Sequence, residues 1–452
     1  MFAQSRRRRV RTSCSRSAEP VLPFGLRLPP SQLRSPHSRI APSDLPSFSV
    51  SMASVDIPED LIENILQRLP VRSLLRLQCV RKSWCAMLKN PSFIADHLRF
   101  SSTQNDNKRN VLWICRCYYR RGTCYCISIN PPHLVVPVEF CLKGGGISTR
   151  IVGHWNGIIC ARTSIKNCGG QANPMGRRYF LWNPATREYK VLPLPQSLTH
   201  DSRCYGPGFG FDSKTNDYKI VKFVNCYSEP CKAEVYSLRS DTWREIQAPP
   251  VCFEKYIPKY YDGNVDGAIF WAGISNGPVI VWFDMANETF RLIPLPHDVL
   301  SIYEREDVFH MVTSFKESFA LLVFHISESD SYNLFDVWVM SELGVAESWV
   351  KLHSVALPEH SLPLGLSNNG ELLIVNGGNG ALAWYYPITR KLVNLEFQSS
   401  ESFYPGKIQS IESVFYTESL VSLGGQNVRN MVSDPYFQDL YHPEKFADEI
   451  DM

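Results

Sequence analysis

No apolar run in this 452-residue chain is long enough to cross a bilayer. The longest of note, Phe319–Phe324, has six residues where a helical span needs about twenty. No membrane partner is expected. The first fifty residues hold no lysine and only two acids, Glu19 and Asp44, against nine arginines. That segment carries +7 of a chain whose net charge is +3, so the remainder stands at −4. The folded part has no electrostatic support for binding nucleic acid. Fourteen cysteines are present without a single C-x-x-C spacing, and the N-terminus has no uninterrupted apolar segment of the signal-peptide kind. A reducing compartment, cytoplasm or nucleus, with free and mostly buried thiols is the simplest expectation. Neither G-x-S-x-G nor H-E-x-x-H occurs, and none of the eleven histidines stands at i, i+4 beside an acid in a helical stretch. No catalytic residue, metal ligand or cofactor is nominated.

What is present begins with a tail. Residues 1–51 are rich in Arg, Ser and Pro and cannot bury a core. Three readings compete: an organelle transit peptide, a nuclear-import patch at Arg6–Arg9, or an upstream extension with Met52 as the working start. The last two are favoured. Residues 52–98 are then read as a helical domain. Leu61, Ile62, Ile65, Leu66 and Leu69 form one apolar stripe, with Pro58, Glu59 and Asp60 suited to a first turn. Pro70 ends that helix. Leu74, Leu75, Leu77 and Val80 belong to a second helix, Trp84, Met87 and Leu88 to a third, and Asn90-Pro91 closes the set. Three short helices are near the lower limit for a core of their own, so a partner should complete it.

From residue 108 to 425 the pattern becomes short strands that repeat. "YFLWNPATREYKVLPLP", "AEVYSLRSDTWREIQAPP" and "VIVWFDMANETFRLIPLP" each read as strand, tight turn and strand, the second strand opened by a large apolar residue. "FDVWVMSELGVAESWVKL" and "LAWYYPITRKLVNLEF" follow the same plan. Tyr189, Trp243, Phe290, Trp349 and Leu392 align at spacings of 54, 47, 59 and 43. A period near fifty residues, all β, implies a kelch-like propeller, with six blades favoured and seven the alternative. One blade parses in full as Gly208–Phe211, Tyr218–Val224, Ala233–Leu238 and Trp243–Ile246. The late strand within 413–423 should join a blade begun earlier and close the ring. Residues 426–452 are read as a C-terminal tail. The fold class is α+β multidomain.

Two features tempt a chemical reading. Cys115, Cys117, Cys124 and Cys126 flank a hairpin turn, and strand alternation would put them on one face. Neighbours two apart along a strand are roughly 7 Å apart, against about 5 Å across strands, which is a poor tetrahedron, so buried thiols are expected instead of zinc. "GPGFGF" (206–211) lacks a following helix and a Lys-Ser/Thr, so a close approach to an inner strand is expected in place of a phosphate loop. Recognition is expected on the rim that gathers the long connections at 163–178, 225–231, 247–264, 295–307 and 327–333. Phe253, Tyr256, Tyr260 and Tyr261 are its candidate substrate-binding anchors, with the covering of blade seams an equal alternative.

The 57–98 segment resembles an F-box. Ile57-Pro58 opens it, "DLIENILQRLPVRSLLRLQCVRKSW" matches the usual run almost position by position, and Asn90-Pro91 ends it. "LWNPATREYKVLP", "GFGFDSKTNDYKIV" and "EVYSLRSDTWREI" resemble the F-box-associated, kelch-related domain common in plants. The resemblance covers roughly residues 56–425. His154-Trp155 depart from it, standing where that family tends to have Ser-Cys, and the Arg-rich tail is foreign to it. It implies a non-enzymatic substrate receptor of an SCF-type ubiquitin ligase. The helices would dock on a Skp-family adaptor that bridges to a cullin–RING ligase, and the propeller would capture an unknown target protein. By position it implies an adaptor face of Pro58, Leu61, Ile62, Ile65, Leu69, Pro70, Leu74, Leu77 and Val80, with Trp84 and Leu66 more apt for the core. The alternative from another class is a propeller enzyme or glycan-binding module braced by the helices.

Overall fold

The structure is a computed structural model. It describes residues 57–104, 110–117, 123–128, 135–138, 147–165, 178–195, 204–224, 231–252, 261–262, 264–265, 267–303, 308–316, 318–325, 332–358, 361–367, 369–377, 381–395, 408–424 and 428–430, some by backbone alone. The helical domain comprises α1 (Glu59–Gln67), α2 (Val71–Leu77), α3 (Lys82–Leu88) and α4 (Pro91–Gln104). Pro58 and Pro70 occupy the N-cap positions of α1 and α2. Asn90-Pro91 does end α3, but it also starts a fourth helix that carries the domain six residues past the expected boundary at 98. Proline fits the first helical position because its missing N–H would be unpaired there anyway. The Asn90 side-chain oxygen accepts the Ser92 N–H at 2.9 Å and caps the new helix. His97 of α4 is buried, and its Nε2 donates to the Leu69 carbonyl at 3.0 Å, tying α4 to the end of α1.

The strands then run β1 (Asn110–Cys117), β2 (Thr123–Ser128) and β3 (Val135–Val138), followed by β4 (Ile147–Trp155), β5 (Ile158–Ile165), β6 (Arg178–Asn183) and β7 (Glu188–Val191). Next come β8 (Cys204–Asp212), β9 (Asp217–Val224), β10 (Lys232–Ser237) and β11 (Thr242–Ile246), matching the blade parsed from sequence to within a few residues at each strand end. Two-residue strands β12 (Tyr261–Asp262) and β13 (Asn264–Val265) precede β14 (Ala268–Ile274), β15 (Pro278–Asp284), β16 (Thr289–Pro294) and a short helix α5 (His297–Tyr303). β17 (Val308–Phe315), β18 (Ser318–His325), β19 (Tyr332–Met340) and β20 (Trp349–Pro358) follow. The last are β21 (Leu362–Leu366), β22 (Leu372–Val375), β23 (Leu382–Tyr386), β24 (Lys391–Asn394), β25 (Ile408–Tyr416) and β26 (Val428–Asn430).

These strands form an all-strand propeller after the helices. Five sheets with described side chains make its blades: β26-β7-β6-β5-β4, β11-β10-β9-β8, β13-β14-β15-β16, β12-β17-β18-β19-β20 and β21-β22-β23-β24. A further sheet, β25-β1-β2-β3, is described almost wholly by its backbone pairing. The expectation from sequence was six blades or seven. The structure shows five blades, which corrects that count: the sheet β25-β1-β2-β3, traced by its backbone between β4 and β21, is not among them, and no seventh sheet occurs among the described residues. The late strand behaves as expected: β25 pairs antiparallel with β1 from Asn110↔Tyr416 onward. The expected C-terminal tail is not wholly apart, because β26 adds to the outer edge of β7.

Repeated residues have repeated jobs. Trp243 donates its indole N–H to the Pro193 carbonyl at 2.9 Å, and Trp349 donates to Pro294 at 3.2 Å. Both tryptophans that open a fourth strand therefore bond the proline-rich exit of the preceding blade. Asn183, Asp212 and Asp284 open the turns "NPATRE", "DSKTND" and "DMANET" by accepting two backbone N–H groups each. Gly208 explains "GPGFGF": a Cβ there would lie 2.5 Å from Ile269 and 2.7 Å from Trp271 of the next blade. The hairpin cysteines are not cross-strand partners, since the register pairs Leu112 with Cys126, Ile114 with Cys124 and Cys115 with Thr123. Of the five cysteines whose side chains are described, all free, Cys160 is buried, Cys85 and Cys231 are half-buried, and Cys79 and Cys252 are exposed.

Lys219 is the main polar bolt between two blades. Its buried ammonium contacts Asp212 at 2.8 Å, Glu288 at 2.9 Å and the Met285 carbonyl at 2.8 Å. Burial alone would raise the Asp212 carboxyl, but hydrogen bonds from Lys219 and Thr215 bring it down to about 2. A carboxylate held below its ordinary value stabilises the fold above that value and loses this as pH falls through the lower one. Lys219→Met should therefore destabilise the chain by about 3 kcal/mol at neutral pH by leaving a buried unpaired carboxylate. In urea unfolding the gap to wild type should persist down to pH 4 and close as pH approaches 2.

Candidate functional site

α1 divides cleanly by face. Leu61 and Ile65, four residues apart along one side, are 54% and 53% exposed, Ile57 just before the helix is 50% exposed, and Val80 after α2 is 60% exposed. Pro58 and Pro70 are exposed beside them. The other side of α1 turns inward: Leu66 is buried with Val71, Leu74, Leu88 and Phe93, and Ile62, Leu69, Leu77 and Trp84 pack partly against that cluster. The structure thus leaves Pro58, Leu61, Ile65, Pro70 and Val80 open, and Ile62, Leu69 and Leu77 at the base of the same region. Leu74 must be removed from the expected surface. It is 0% exposed, because its place in α2 points it into the domain's own core. Trp84 and Leu66 fall in or against the core, as weighted from sequence.

The expectation that a partner completes the helical core is corrected in part, because the chain itself contributes to it. The segment 417–424, just after β25, runs between them and the propeller. Leu420 completes the helical core, and Ala185 from the β6–β7 turn packs against it. Asn183 fixes the segment by donating to the Ser419 carbonyl at 3.1 Å and the Val421 carbonyl at 2.7 Å. Glu188 accepts from the Ser422 hydroxyl and the Leu423 N–H, both at 3.1 Å. Gly157, in the β4–β5 turn at φ +80°, leaves room for Ser419, whose Cβ would lie 2.4 Å from an added methyl. His154, a departure from the family pattern, accepts the Gly157 N–H at 3.1 Å and so supports this turn. Burial pushes the Glu418 carboxyl up, with Arg72 of α2 opposing. Sequence signals for the latch existed in Asn156-Gly157 and "TESLVSL", but nothing in them says that the helices, 350 or so residues earlier, would sit there.

This contact also places the helices on one end of the propeller. Ala185 and Gly157 lie in the short turns that join first to second and third to fourth strands. The long connections at 163–178, 225–231, 247–264, 295–307 and 327–333 leave strand ends on the opposite rim. Phe253, Tyr256 and Tyr260 fall outside the described residues, and Tyr261 is described only as backbone in β12, paired parallel with β17. Among the described residues no group of three His, Cys, Asp or Glu side chains is placed to hold a metal ion. Burial raises the Cys160 thiol well above its ordinary range, with Arg162 opposing, which is the reverse of what a nucleophile needs. No helix among them is long and apolar enough to cross a membrane.

Comparison with known proteins bears on both parts. Residues 55–96 match the F-box domain family, and residues 151–423 match the F-box associated beta propeller domain family. The F-box protein CPR1 of Arabidopsis thaliana is 26% identical over 389 residues, spanning 78% of this chain and 87% of that protein. An F-box/kelch-repeat protein of the same plant is 25% identical over 358 residues, 75% of this chain and 92% of its own. The F-box/WD-40 repeat-containing protein 1 is 27% identical over 346 residues, 72% and 75% respectively. A solved structure of a putative 6-phosphogluconolactonase from Bacteroides uniformis aligns over 68% of this chain and 99% of its own, at 12% identity and a TM-score of 0.35. That likeness is too distant to argue from.

The latch can be tested at two glycines. Gly157→Ala meets both a left-handed backbone and Ser419, and should lower stability by about 3 kcal/mol. Gly424→Ala, at φ +54° with open space around it, should lower it by only about 1 kcal/mol. Calorimetry reads both, and faster proteolysis at the helical domain in the first variant alone would locate the damage.

Proposed function

Because this chain belongs to the F-box proteins that carry an F-box associated β-propeller, we propose that it is the target-recognition subunit of an SCF-type ubiquitin ligase. The observation that carries the reading is the apolar stripe of Ile57, Leu61 and Ile65, joined by Val80, left open on helices whose other side is already packed. An amphipathic helix presenting anchors four residues apart suits a hydrophobic groove on a partner, here a Skp-family adaptor. Burying one such side chain fully contributes about 1.5–3 kcal/mol. Pro58 and Pro70 fix where α1 and α2 begin and so hold the stripe in place. The adaptor in turn bridges to a cullin–RING ligase in the cytoplasm or nucleus.

The propeller captures a target protein, with the long-connection rim and Phe253, Tyr256, Tyr260 and Tyr261 as the proposed contact. The helices pack at the short-turn end, so adaptor and target are held on opposite ends of one rigid ring. The chain does no chemistry in this reading. It raises the rate of ubiquitin transfer by holding the target near a loaded conjugating enzyme, which is a proximity effect.

Co-purification with a plant Skp adaptor tests the adaptor half. Leu61→Asp, Ile65→Asp and Pro70→Asp should each weaken capture by at least about tenfold, with thermal unfolding unchanged because all three positions are already exposed. Undiminished capture by the Leu61→Asp and Ile65→Asp proteins would overturn the reading.

A further inference from the structure

Outer edges of the blades differ in how they are protected. β7 is covered by β26, while β11, β16 and β24 are only five, six and four residues long. β20 has ten residues and no strand on its outer side among the described residues. Long edges with unpaired N–H and C=O groups template the addition of another strand, and folded proteins usually blunt them. One bulge interrupts β20 at Leu352, but from His353 to Pro358 its pairing with β19 is regular. Val350, 51% exposed, and Leu352 stand beside this stretch.

Alongside that edge lies a cavity of about 570 Å³, closed on its far side by β23, β24 and their turn. Leu334, Tyr385, Pro387 and Leu392 give it apolar walls, with His353 and Arg390 at its lip. Ile388 at the tip of the turn is 88% exposed. Among the described residues the exposed, unpaired charge around it is of one sign. Arg390 and Lys391 are exposed and form no ion pair among the described residues. Of the neighbouring acids, Asp336 is buried and ion-paired with Lys351 at 2.8 Å, with Ser354 donating to it at 2.6 Å, while Glu371 is half-buried, accepts from the Ser367 hydroxyl and keeps its charge, so that the two cations outnumber it.

We propose that this groove takes an extended acidic segment of the captured protein, added as a further strand along His353–Pro358, with one apolar side chain seated in the cavity. Main-chain hydrogen bonds would supply affinity, and the alternate side chains would meet the cavity and the Arg390–Lys391 pair. The chain already uses this mode on itself, where β26 adds to β7. The inference rests on the propeller being the target-capturing half, and adds a lateral contact to the rim.

The probe is a fluorescein-labelled heptapeptide of alternating Glu and Val, titrated against the full chain, with its Lys-for-Glu counterpart as control. Saturable binding of the acidic peptide is expected, weakened about fivefold by Arg390→Glu with Lys391→Glu and similarly by raised salt. Ala356→Trp, at an exposed position lining the cavity, should abolish it, and hydrogen exchange should slow at residues 349–358. Absence of saturable binding, equal binding of the Lys peptide, indifference to both sets of variants, or protection elsewhere would each overturn the groove. Should that happen while the chain still co-purifies with the adaptor and captures proteins in cells, the ligase reading survives. Peptide binding without any adaptor capture would sink the ligase reading and leave the groove as a site.

Discussion

A ring of β-sheets is held shut by a piece of chain that arrives last. Until β25 returns to pair with β1, both have unpaired edges that neither water-exposed position nor local sequence can satisfy. The same returning stretch continues as residues 417–424, where Asn183, Glu188 and Gly157 receive it and Leu420 enters the helical core. Closure of the propeller and seating of the helices therefore draw on one continuous stretch of chain. Ser419 is fully buried at that junction, and its fit depends on the missing side chain of Gly157.

The rim that bears the helices uses its polar groups tightly. Seven of the eight non-glycine residues with left-handed backbone among the described residues lie in its short turns, from Asn156 and Arg187 round to Arg390. Buried lysines join these turns across blades, Lys190 reaching Asp241 at 3.0 Å and Lys219 reaching Glu288. Such networks are expensive when half made, because a lone buried charge has no water to fall back on. They fix the spacing of blades at that end. The apolar seams themselves run between blades, as in the cluster of Phe223, Trp271, Val281 and Phe283.

A ring of blades with helices at one end suits the proposed role of joining two other proteins at a set distance. The exposed stripe on α1 and the charged groove beside β20 have the same physical character: each is an apolar surface that the chain's own folding leaves unfilled. They differ in what surrounds them, helix side chains in one case and open main-chain hydrogen-bonding groups in the other.

Much of this was legible in the residues. Apolar spacing placed α1 and its two faces, and turn residues with a fifty-residue period placed the strands, because periodicities of 3.6 and 2 are set by local backbone geometry. Even the order of strands within the blade from Gly208 to Ile246 could be read. Local rules misled at Pro91, which both ends one helix and begins another, and at Leu74, where an apolar residue gives no sign of which partner it meets. Phe253, Tyr256 and Tyr260 lie outside the described residues and stay as expectations. The sequence by itself determined which segments are helix, which are strand, and that the two belong to one family. Only the tertiary structure decided that Cys115 faces Thr123 across the hairpin, that β26 covers β7, and that Leu420 finishes the helical core. Those depend on register and on contacts between residues hundreds of positions apart, which no local pattern encodes.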